Sequence, residues 1–239
     1  MEAVVNKNQS TPLVCLHGFL CDPRLWQDVK VIHAYPGPVH LIDFKFCKTL
    51  EDMLGQIESL AEPRFHLIGF SMGGYIAELF ATRFPERIET LTLIAANVGA
   101  LSERDISTRM KMAEMLLKVQ YKGMSEKEVS KFIHPESAKN PRVVQAIIEM
   151  SRAYTSAMYV NQMRATLHRE DLTVALNALD FPISIIAGRE DRVVSYHSLK
   201  KFHEAISRSD FQVIEESGHY LPLEKPDDVG RAVLRVISR

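Results

Sequence analysis

The sequence has no long apolar run and no excess of one charge. None of its apolar stretches approaches the roughly 20 residues that a membrane-spanning helix needs, and the first twelve residues, MEAVVNKNQSTP, lack the apolar centre of a signal peptide. We therefore expect a cytoplasmic protein without membrane insertion. Lysine and arginine number 29 against 30 acidic residues, a net charge of −1, so nothing in the charge balance favours nucleic acid as a partner.

Cysteine is scarce as well. Cys15, Cys21 and Cys47 are the three cysteines, an odd number without the spacing of metal ligands, which argues against a disulfide framework. We expect Cys15 to pack in a strand and Cys21 to fill space near a turn rather than tune its reactivity. The sequence gives no reason to expect a cofactor or a metal.

Length and pattern predict one α/β domain. The 239 residues, 46% of them apolar, suffice for a full core. Apolar stretches of strand length alternate with longer helical patterns, which is typical of a mostly parallel sheet of about six to seven strands flanked by helices. Strands are predicted at 13–17, 39–44, 65–70, 89–95, 182–188 and 211–216, and helices at 49–61, 72–84, 195–206 and 226–237.

Residues 65–74, FHLIGFSMGG, run from an apolar strand into a helical pattern. The bare pattern G-x-S-x-G is weak evidence, but this context is that of a strained strand-turn-helix elbow with a serine at its tip. Gly69 and Gly73 would supply the space where strand and helix approach each other. Ser71 is therefore a candidate nucleophile, and the Met72 N–H a candidate donor to a developing oxyanion. The alternative is an ordinary helix-capping serine.

Three more motifs follow predicted strands. Leu13–Leu16 leads into His17-Gly18-Phe19, where the Phe19 N–H is the second candidate oxyanion donor. GRED at 188–191 and SGHYLPLEKP at 217–226 place carboxylates and an imidazole after two late strands. Right-handed crossovers bring all these strand ends to one edge of a parallel sheet, so residues 71, 191 and 219 can meet there.

With these four motifs the chain resembles the α/β-hydrolase superfamily, specifically its small single-domain serine esterases and lyases. The resemblance spans nearly the whole chain and follows the order Ser, Asp, His. It implies that Ser71 is the nucleophile, His219 the general base and then acid, and Asp191 the group that orients the imidazole. Glu190 is an alternative acid, although the family pattern selects Asp191, and His219 could instead be a structural loop histidine.

The resemblance implies further assignments and shows two departures. His17 is expected to brace the oxyanion turn and, with Tyr75, to contact the substrate. At most one short strand has room before residue 13, so the sheet should be smaller than usual. After the second strand, residues 43–48 read DFKFCK instead of the turn many relatives have.

The resemblance also implies two units: a core at 1–97 and 180–239, and a helical cap at 98–179 over the active site. Seven of the ten methionines lie in this cap. They favour either a pliable acyl-accepting surface or ordinary core packing. Arg109, Arg152 and Arg164 could face either solvent or the pocket, and an uncharged or weakly charged substrate is favoured.

The function predicted is a serine hydrolase that cleaves small carboxylic esters through an acyl-enzyme on Ser71, as a monomer or homodimer. Alternative activities that would use the same Ser71, Asp191 and His219 are those of a menaquinone-pathway lyase, a thioesterase, a lactonase, a perhydrolase and a carbon-carbon bond hydrolase. The lyase is disfavoured because Tyr75 stands where those enzymes commonly have arginine. A hypothesis of another class is a ligand receptor on the hydrolase scaffold.

Overall fold

The structure is a computed structural model that describes residues 11–96 and 98–238. Within these residues six strands form one sheet, and every neighbouring pair is parallel. The strands lie in the order β2-β1-β3-β4-β5-β6. Their bounds are β1 Leu13–Leu16, β2 Val39–Ile42, β3 Phe65–Phe70, β4 Ile88–Ile94, β5 Ile183–Gly188 and β6 Ser209–Ile214.

Helices connect the strands and fill a long insertion between β4 and β5. Those of the core are α1 Lys30–His33, α2 Leu50–Glu58, α3 Met72–Arg83, α9 Tyr196–Ala205, α10 Leu221–Glu224 and α11 Pro226–Ile237. Those of the insertion are α4 Glu103–Leu116, α5 Glu126–Val129, α6 Pro141–Arg152, α7 Ser156–Ala165 and α8 Thr173–Asn177. Short 3₁₀ turns occupy Pro23–Trp26, Pro85–Arg87 and Ser137–Lys139.

Local sequence explains several helix boundaries. Thr49 and Asp52 form a capping box at the start of α2, since each side chain binds the other's backbone N–H. Helix α6 begins with Asn140 as its cap and Pro141 in its first turn, where a missing N–H costs no hydrogen bond. No helix among the described residues combines the length and the apolarity needed to cross a membrane.

Both faces of the sheet are covered. Alternate residues of β1 point to opposite sides, so Val14 belongs to one apolar core cluster and Cys15 to the other. This double burial explains why strands such as Phe65–Phe70 are apolar along their whole length. The predicted α/β fold, with a mostly parallel sheet of about six to seven strands flanked by helices, is confirmed.

The strand order reverses between β1 and β3. From β1 the chain crosses to β2 on one side, whereas β3 leads on to β4 on the other. In such sheets the crevice at the reversal, outside the carboxyl ends of the strands, is where ligands bind. Gly18-Phe19 follows β1 and Ser71 follows β3, so both lie at this crevice.

Boundaries differ slightly from the predictions. Strand β6 runs from Ser209 to Ile214 rather than 211–216, because it is the sheet edge, where partly exposed polar residues are tolerated. The expectations about a leading strand and a signal peptide concern residues 1–10, which lie outside the described residues, as does Asn97. The division into a core and a cap stays a prediction, and residues 98–179 are called the helical insertion below.

Candidate active site

Ser71 sits at the tip of a sharp turn between β3 and α3. Its backbone has φ 52° and ψ −113°, a conformation that costs a non-glycine residue on the order of 1–3 kcal/mol. A Cβ on Gly69 would lie 2.4 Å from the Gly73 carbonyl oxygen, and one on Gly73 would lie 2.5 Å from the His17 carbonyl oxygen. The two glycines therefore allow the close approach that holds this serine in place, as the sequence predicts.

Ser71, His219 and Asp191 form a hydrogen-bonded chain. His219 Nδ1 is 2.8 Å from Asp191 Oδ2, and His219 Nε2 is 2.9 Å from Ser71 Oγ. Because a carboxylate only accepts hydrogen bonds, Nδ1 carries the proton, and Nε2 of the neutral ring accepts from the Ser71 hydroxyl. All three residues are buried, with 4%, 8% and 6% of the surface of Ser71, Asp191 and His219 exposed. In this tautomer the imidazole can take the serine proton.

The loop after β5 fixes the Asp191 carboxylate. Its Oδ1 accepts hydrogen bonds from the backbone N–H groups of Val193 and Val194, at 2.7 and 2.9 Å. This leaves Oδ2 directed at His219. The alternative acid, Glu190, is exposed and instead accepts from the Ser217 N–H. Asp191, and not Glu190, is therefore the acid that is hydrogen-bonded to the His219 imidazole.

Glu224, at the end of α10, holds the loop that carries His219. Its carboxylate accepts hydrogen bonds from the backbone N–H groups of Gly218, Tyr220 and His134, at 3.0, 2.9 and 2.8 Å. The His219 N–H in turn donates to the Phe132 carbonyl at 2.7 Å. The helical insertion thus helps to position the imidazole.

Two backbone N–H groups are available beside Ser71. Phe19 and Met72 both line the cavity above the serine. Within residues 11–96 and 98–238, no hydrogen bond from either N–H to another protein atom is found. Free N–H groups at a strand end and a helix N-terminus can stabilise an oxyanion.

The turn with Phe19 is held from the insertion by Gln162. This side chain is fully buried on α7, and its Oε1 accepts from the Leu20 N–H at 3.0 Å. Its Nε2 donates to the Tyr154 hydroxyl at 3.2 Å, and Tyr154 donates to the Cys21 carbonyl. Sequence reasoning missed both Gln162 and Glu224. The one signal for Gln162 is an amide directly before Met163, in the apolar stripe of α7.

His17 does not line the cavity, and this corrects its assignment to substrate binding. The side chain is fully buried, its Nδ1 lies 2.8 Å from the Gly18 carbonyl oxygen, and its Nε2 lies 2.9 Å from the Phe44 nitrogen. Through these contacts with Gly18 and Phe44, the buried ring braces the turn. Tyr75, by contrast, lines the cavity, and its hydroxyl accepts from the Glu170 N–H at 3.2 Å.

The three cysteines are free and buried. Burial raises the pKa of Cys21 far above its ordinary value, and it raises the pKa of Cys47 to about 11. Both thiols are therefore protonated at neutral pH. Cys21 fills space beside the turn, as expected, and its Sγ contacts the Phe19 carbonyl oxygen at 3.4 Å.

A cavity of about 460 Å³ lies over Ser71, between the sheet edge and the helical insertion. The insertion contributes much of its wall, including Met112, Met124 and Met163. The other methionines differ: Met150 is buried in a core cluster, and Met110 and Met115 are exposed. Three of the seven methionines thus line the cavity and one packs in the core.

Charged side chains also line this cavity. Arg109 and Arg169 are half-buried there, with the exposed Lys131 and Glu128. Arg152 and Arg164 are exposed. The expectation of an uncharged or weakly charged substrate stays a prediction, beside a cavity lining that includes three basic side chains.

The parallel sheet, its reversal point and the serine elbow define an α/β-hydrolase. Residues 45–226 match the family model Hydrolase_4, described as Serine aminopeptidase, S33. The chain belongs to this family.

Comparison with known proteins agrees with this placement. The chain is 23% identical over 259 residues to the monoacylglycerol lipase ABHD6 of Mus musculus, covering 95% of this chain and 75% of the relative. It is 26% identical over 192 residues to a 2-hydroxy-6-oxononadienedioate/2-hydroxy-6-oxononatrienedioate hydrolase of Burkholderia vietnamiensis, covering 78% and 67%. A thermophilic esterase from Thermogutta terrifontis, solved with malate bound, superposes with a TM-score of 0.87 at 24% identity, covering 96% of this chain and 91% of that one.

Proposed function

We propose that the protein is a serine hydrolase that cleaves carboxylic esters through an acyl-enzyme on Ser71. The observation that carries the proposal is the hydrogen-bonded chain from Ser71 Oγ through His219 to Asp191. It lies beside two free backbone N–H groups, and this combination is the one that nucleophilic acyl transfer requires. The hydrolase family and its esterase and lipase relatives support the same class of reaction.

In the first half of the reaction, the Ser71 oxygen attacks the ester carbonyl carbon while its proton passes to His219 Nε2. The carbonyl oxygen becomes an oxyanion and accepts hydrogen bonds from the Phe19 and Met72 N–H groups. Asp191 stabilises the imidazolium through Nδ1. When the intermediate collapses, the carbon-oxygen bond to the alcohol breaks, and His219 gives its proton to the leaving oxygen.

Water completes the cycle. It attacks the acyl carbonyl as His219 Nε2 takes one of its protons, a second oxyanion forms on the same donors, and collapse breaks the bond to Ser71. The proton returns to the serine oxygen, and the carboxylic acid leaves. We propose further that the helical insertion acts as a cap, because its side chains line the cavity over the serine.

The test is hydrolysis of 4-nitrophenyl esters with acyl chains of two to twelve carbons, with the Ser71→Ala variant as control. We expect turnover in the parent protein and a loss on the order of 10⁴- to 10⁶-fold in the variant. The acyl length that is hydrolysed fastest will report the depth of the cavity. Full activity in Ser71→Ala would refute the proposal. The same residues could cleave thioesters or carbon-carbon bonds next to a carbonyl. Parallel assays with such substrates compare their kcat/KM values with those of the esters.

A further inference from the structure

The cavity over Ser71 is cationic although the chain as a whole is not. Apart from His219, the basic residues that line the cavity are Arg109, Lys131 and Arg169. The acidic lining residue is Glu128. The chain carries a net charge of only −1. The Glu128 carboxylate is already engaged, because it accepts hydrogen bonds from the N–H and hydroxyl of Ser125, both at 2.7 Å. Positive charge is therefore a local property of the site.

Arg169 lines the same cavity as Ser71. Its guanidinium stands 5.9 Å from the centre of the Tyr75 ring, and Tyr75 follows Ser71 by one turn of α3. Arg109 lines the same cavity near Tyr159, whose ring packs edge-on against Phe19 with centroids 4.8 Å apart. Each arginine thus lies beside an aromatic residue that, like Ser71, lines the cavity.

The two guanidinium groups repel each other and are partly desolvated. Burial, followed by the charge of Arg109, lowers the pKa of Arg169 to about 10. Burial also lowers the pKa of Arg109. Both side chains remain protonated at neutral pH, so two like charges are held together in a site where water screens them poorly. An anion between them would relieve this repulsion.

Neighbouring acids offset the charge of the two arginines only in part, since they raise the pKa of each arginine by less than burial lowers it. Glu78 lies near Arg169, but its complete burial raises the pKa of its carboxyl well above the ordinary value. Asp105 lies four residues before Arg109 on α4, yet it is exposed and accepts a hydrogen bond from the Ser102 hydroxyl at 2.6 Å. Across the described part of the chain, Arg109 has no carboxylate within the 4.0 Å of an ion pair.

We propose that Arg109 and Arg169 form a carboxylate-binding subsite beside Ser71, so that the preferred substrates are short esters with a free carboxylate. Guanidinium groups match a carboxylate in shape as well as in charge. The inference rests on the proposed ester hydrolysis, whose substrate class it narrows. The carboxylate can belong to the acyl part or to the alcohol part of the ester.

Matched pairs of substrates test the inference. For the acyl part, monomethyl glutarate is compared with its primary amide, methyl 5-amino-5-oxopentanoate; for the alcohol part, butanoyloxyacetate is compared with butanoyloxyacetamide, so every substrate has one ester bond. Acid release at constant pH gives kcat/KM for each. We expect the carboxylate form of at least one pair to exceed its neutral partner by at least about tenfold, and the pair that does so identifies the carboxylate's place. If neutral esters were hydrolysed as well as the charged ones in both pairs, the subsite would be refuted while the esterase proposal stood.

Variants assign the preference to the two arginines. In Arg109→Gln and Arg169→Gln we expect the ratio of charged to neutral kcat/KM to fall on the order of 10- to 100-fold, with partial recovery in the lysine variants. Arg164→Gln, an exposed arginine of the same insertion, should leave the ratio unchanged. A ratio that persisted in both glutamine variants would overturn the inference.

Binding gives a readout that does not need turnover. Calorimetry with the Ser71→Ala protein should show that glutarate binds, that neutral glutaramide binds far more weakly, and that Arg109→Gln or Arg169→Gln abolishes the difference. Equal binding of the two compounds would refute the subsite even if no ester were hydrolysed. Failure of the subsite and failure of the esterase proposal are thereby distinguished.

Discussion

Glu224 accepts a hydrogen bond from the His134 N–H at 2.8 Å, which joins the end of α10 to the helical insertion. The same carboxylate binds the N–H groups of Gly218 and Tyr220, on either side of His219. One acidic side chain therefore positions the imidazole relative to both parts of the molecule. A carboxylate suits this role because it accepts from several N–H groups at once.

Replacing Glu224 by glutamine should impair catalysis without removing any reacting group. The amide has one acceptor oxygen and cannot satisfy all three N–H groups, so His219 will shift relative to Ser71. We expect kcat to fall about 10- to 100-fold with a smaller change in KM. Glu136→Gln, at an exposed residue whose carboxylate pairs with Lys139, is the control and should keep its activity. Unchanged kcat in Glu224→Gln would contradict the positioning role.

Gln162→Leu should destabilise the turn that carries Phe19. The buried Leu20 N–H would lose its acceptor, which costs about 1–3 kcal/mol in the free energy of unfolding, and kcat/KM should fall as the turn loosens. Urea denaturation and ester hydrolysis check the two effects. The matched variant Gln145→Leu changes an exposed side chain of α6 and should alter stability by no more than about 0.5 kcal/mol. Equal stabilities of the two variants would refute this role for Gln162.

Gly73→Ala should abolish activity, because a Cβ at this position would lie 2.5 Å from the His17 carbonyl oxygen and push the elbow apart. Gly55 in α2 provides the comparison, since nothing lies within 4 Å of a Cβ there. Gly55→Ala should raise stability by up to about 1 kcal/mol and keep full activity. Thermal unfolding and ester turnover measure both. An active Gly73→Ala protein would show that the elbow tolerates side chains.

His66 should make stability depend on pH. Burial, with Arg64 nearby, lowers the pKa of this histidine from 6.5 to about 4. Between these values the unfolded chain binds a proton that the folded protein does not, so this contribution to stability is complete above pH 6.5 and is lost as the pH falls towards 4. At about 1.4 kcal/mol per pH unit, the loss amounts to about 3 kcal/mol.

Urea denaturation at pH 7.0, 5.5 and 4.5 tests this pH dependence. Comparing the parent protein with His66→Asn isolates the contribution of this histidine to the pH dependence of stability, because asparagine does not titrate in this pH range. We expect the variant to lose markedly less stability than the parent over this range. Parallel curves for the two proteins would assign the pH dependence to other groups.

The sequence predicted the parallel sheet and the strand ends because the strands are buried on both faces and therefore appear as unbroken apolar runs. Motifs after these strands then indicated that Ser71, Asp191 and His219 could meet. The start of strand β6 was predicted two residues late. Ser209 and Asp210 are polar residues of an edge strand, and a search for apolar runs does not assign such residues to a strand.

Gln162, Glu224 and Arg169 escaped prediction for a different reason. Gln162 binds a backbone group 142 residues away, and Glu224 binds one 90 residues away. Helical periodicity shows which face of the insertion is apolar but not which loop that face meets. The cationic cavity likewise depends on how α4 and the segment after α7 pack, which spacing along the chain does not encode.

The central claim is that Ser71 is the nucleophile, and covalent labelling tests it most directly. The protein is treated with a fluorophosphonate and digested with trypsin, and the masses of its peptides are measured. Cleavage after Arg64 and Arg83 releases residues 65–83, in which Ser71 is the only serine. We expect the phosphonyl group on Ser71 of this peptide, and none in Ser71→Ala. Ester turnover by a protein whose residues 65–83 stay unlabelled would contradict the account.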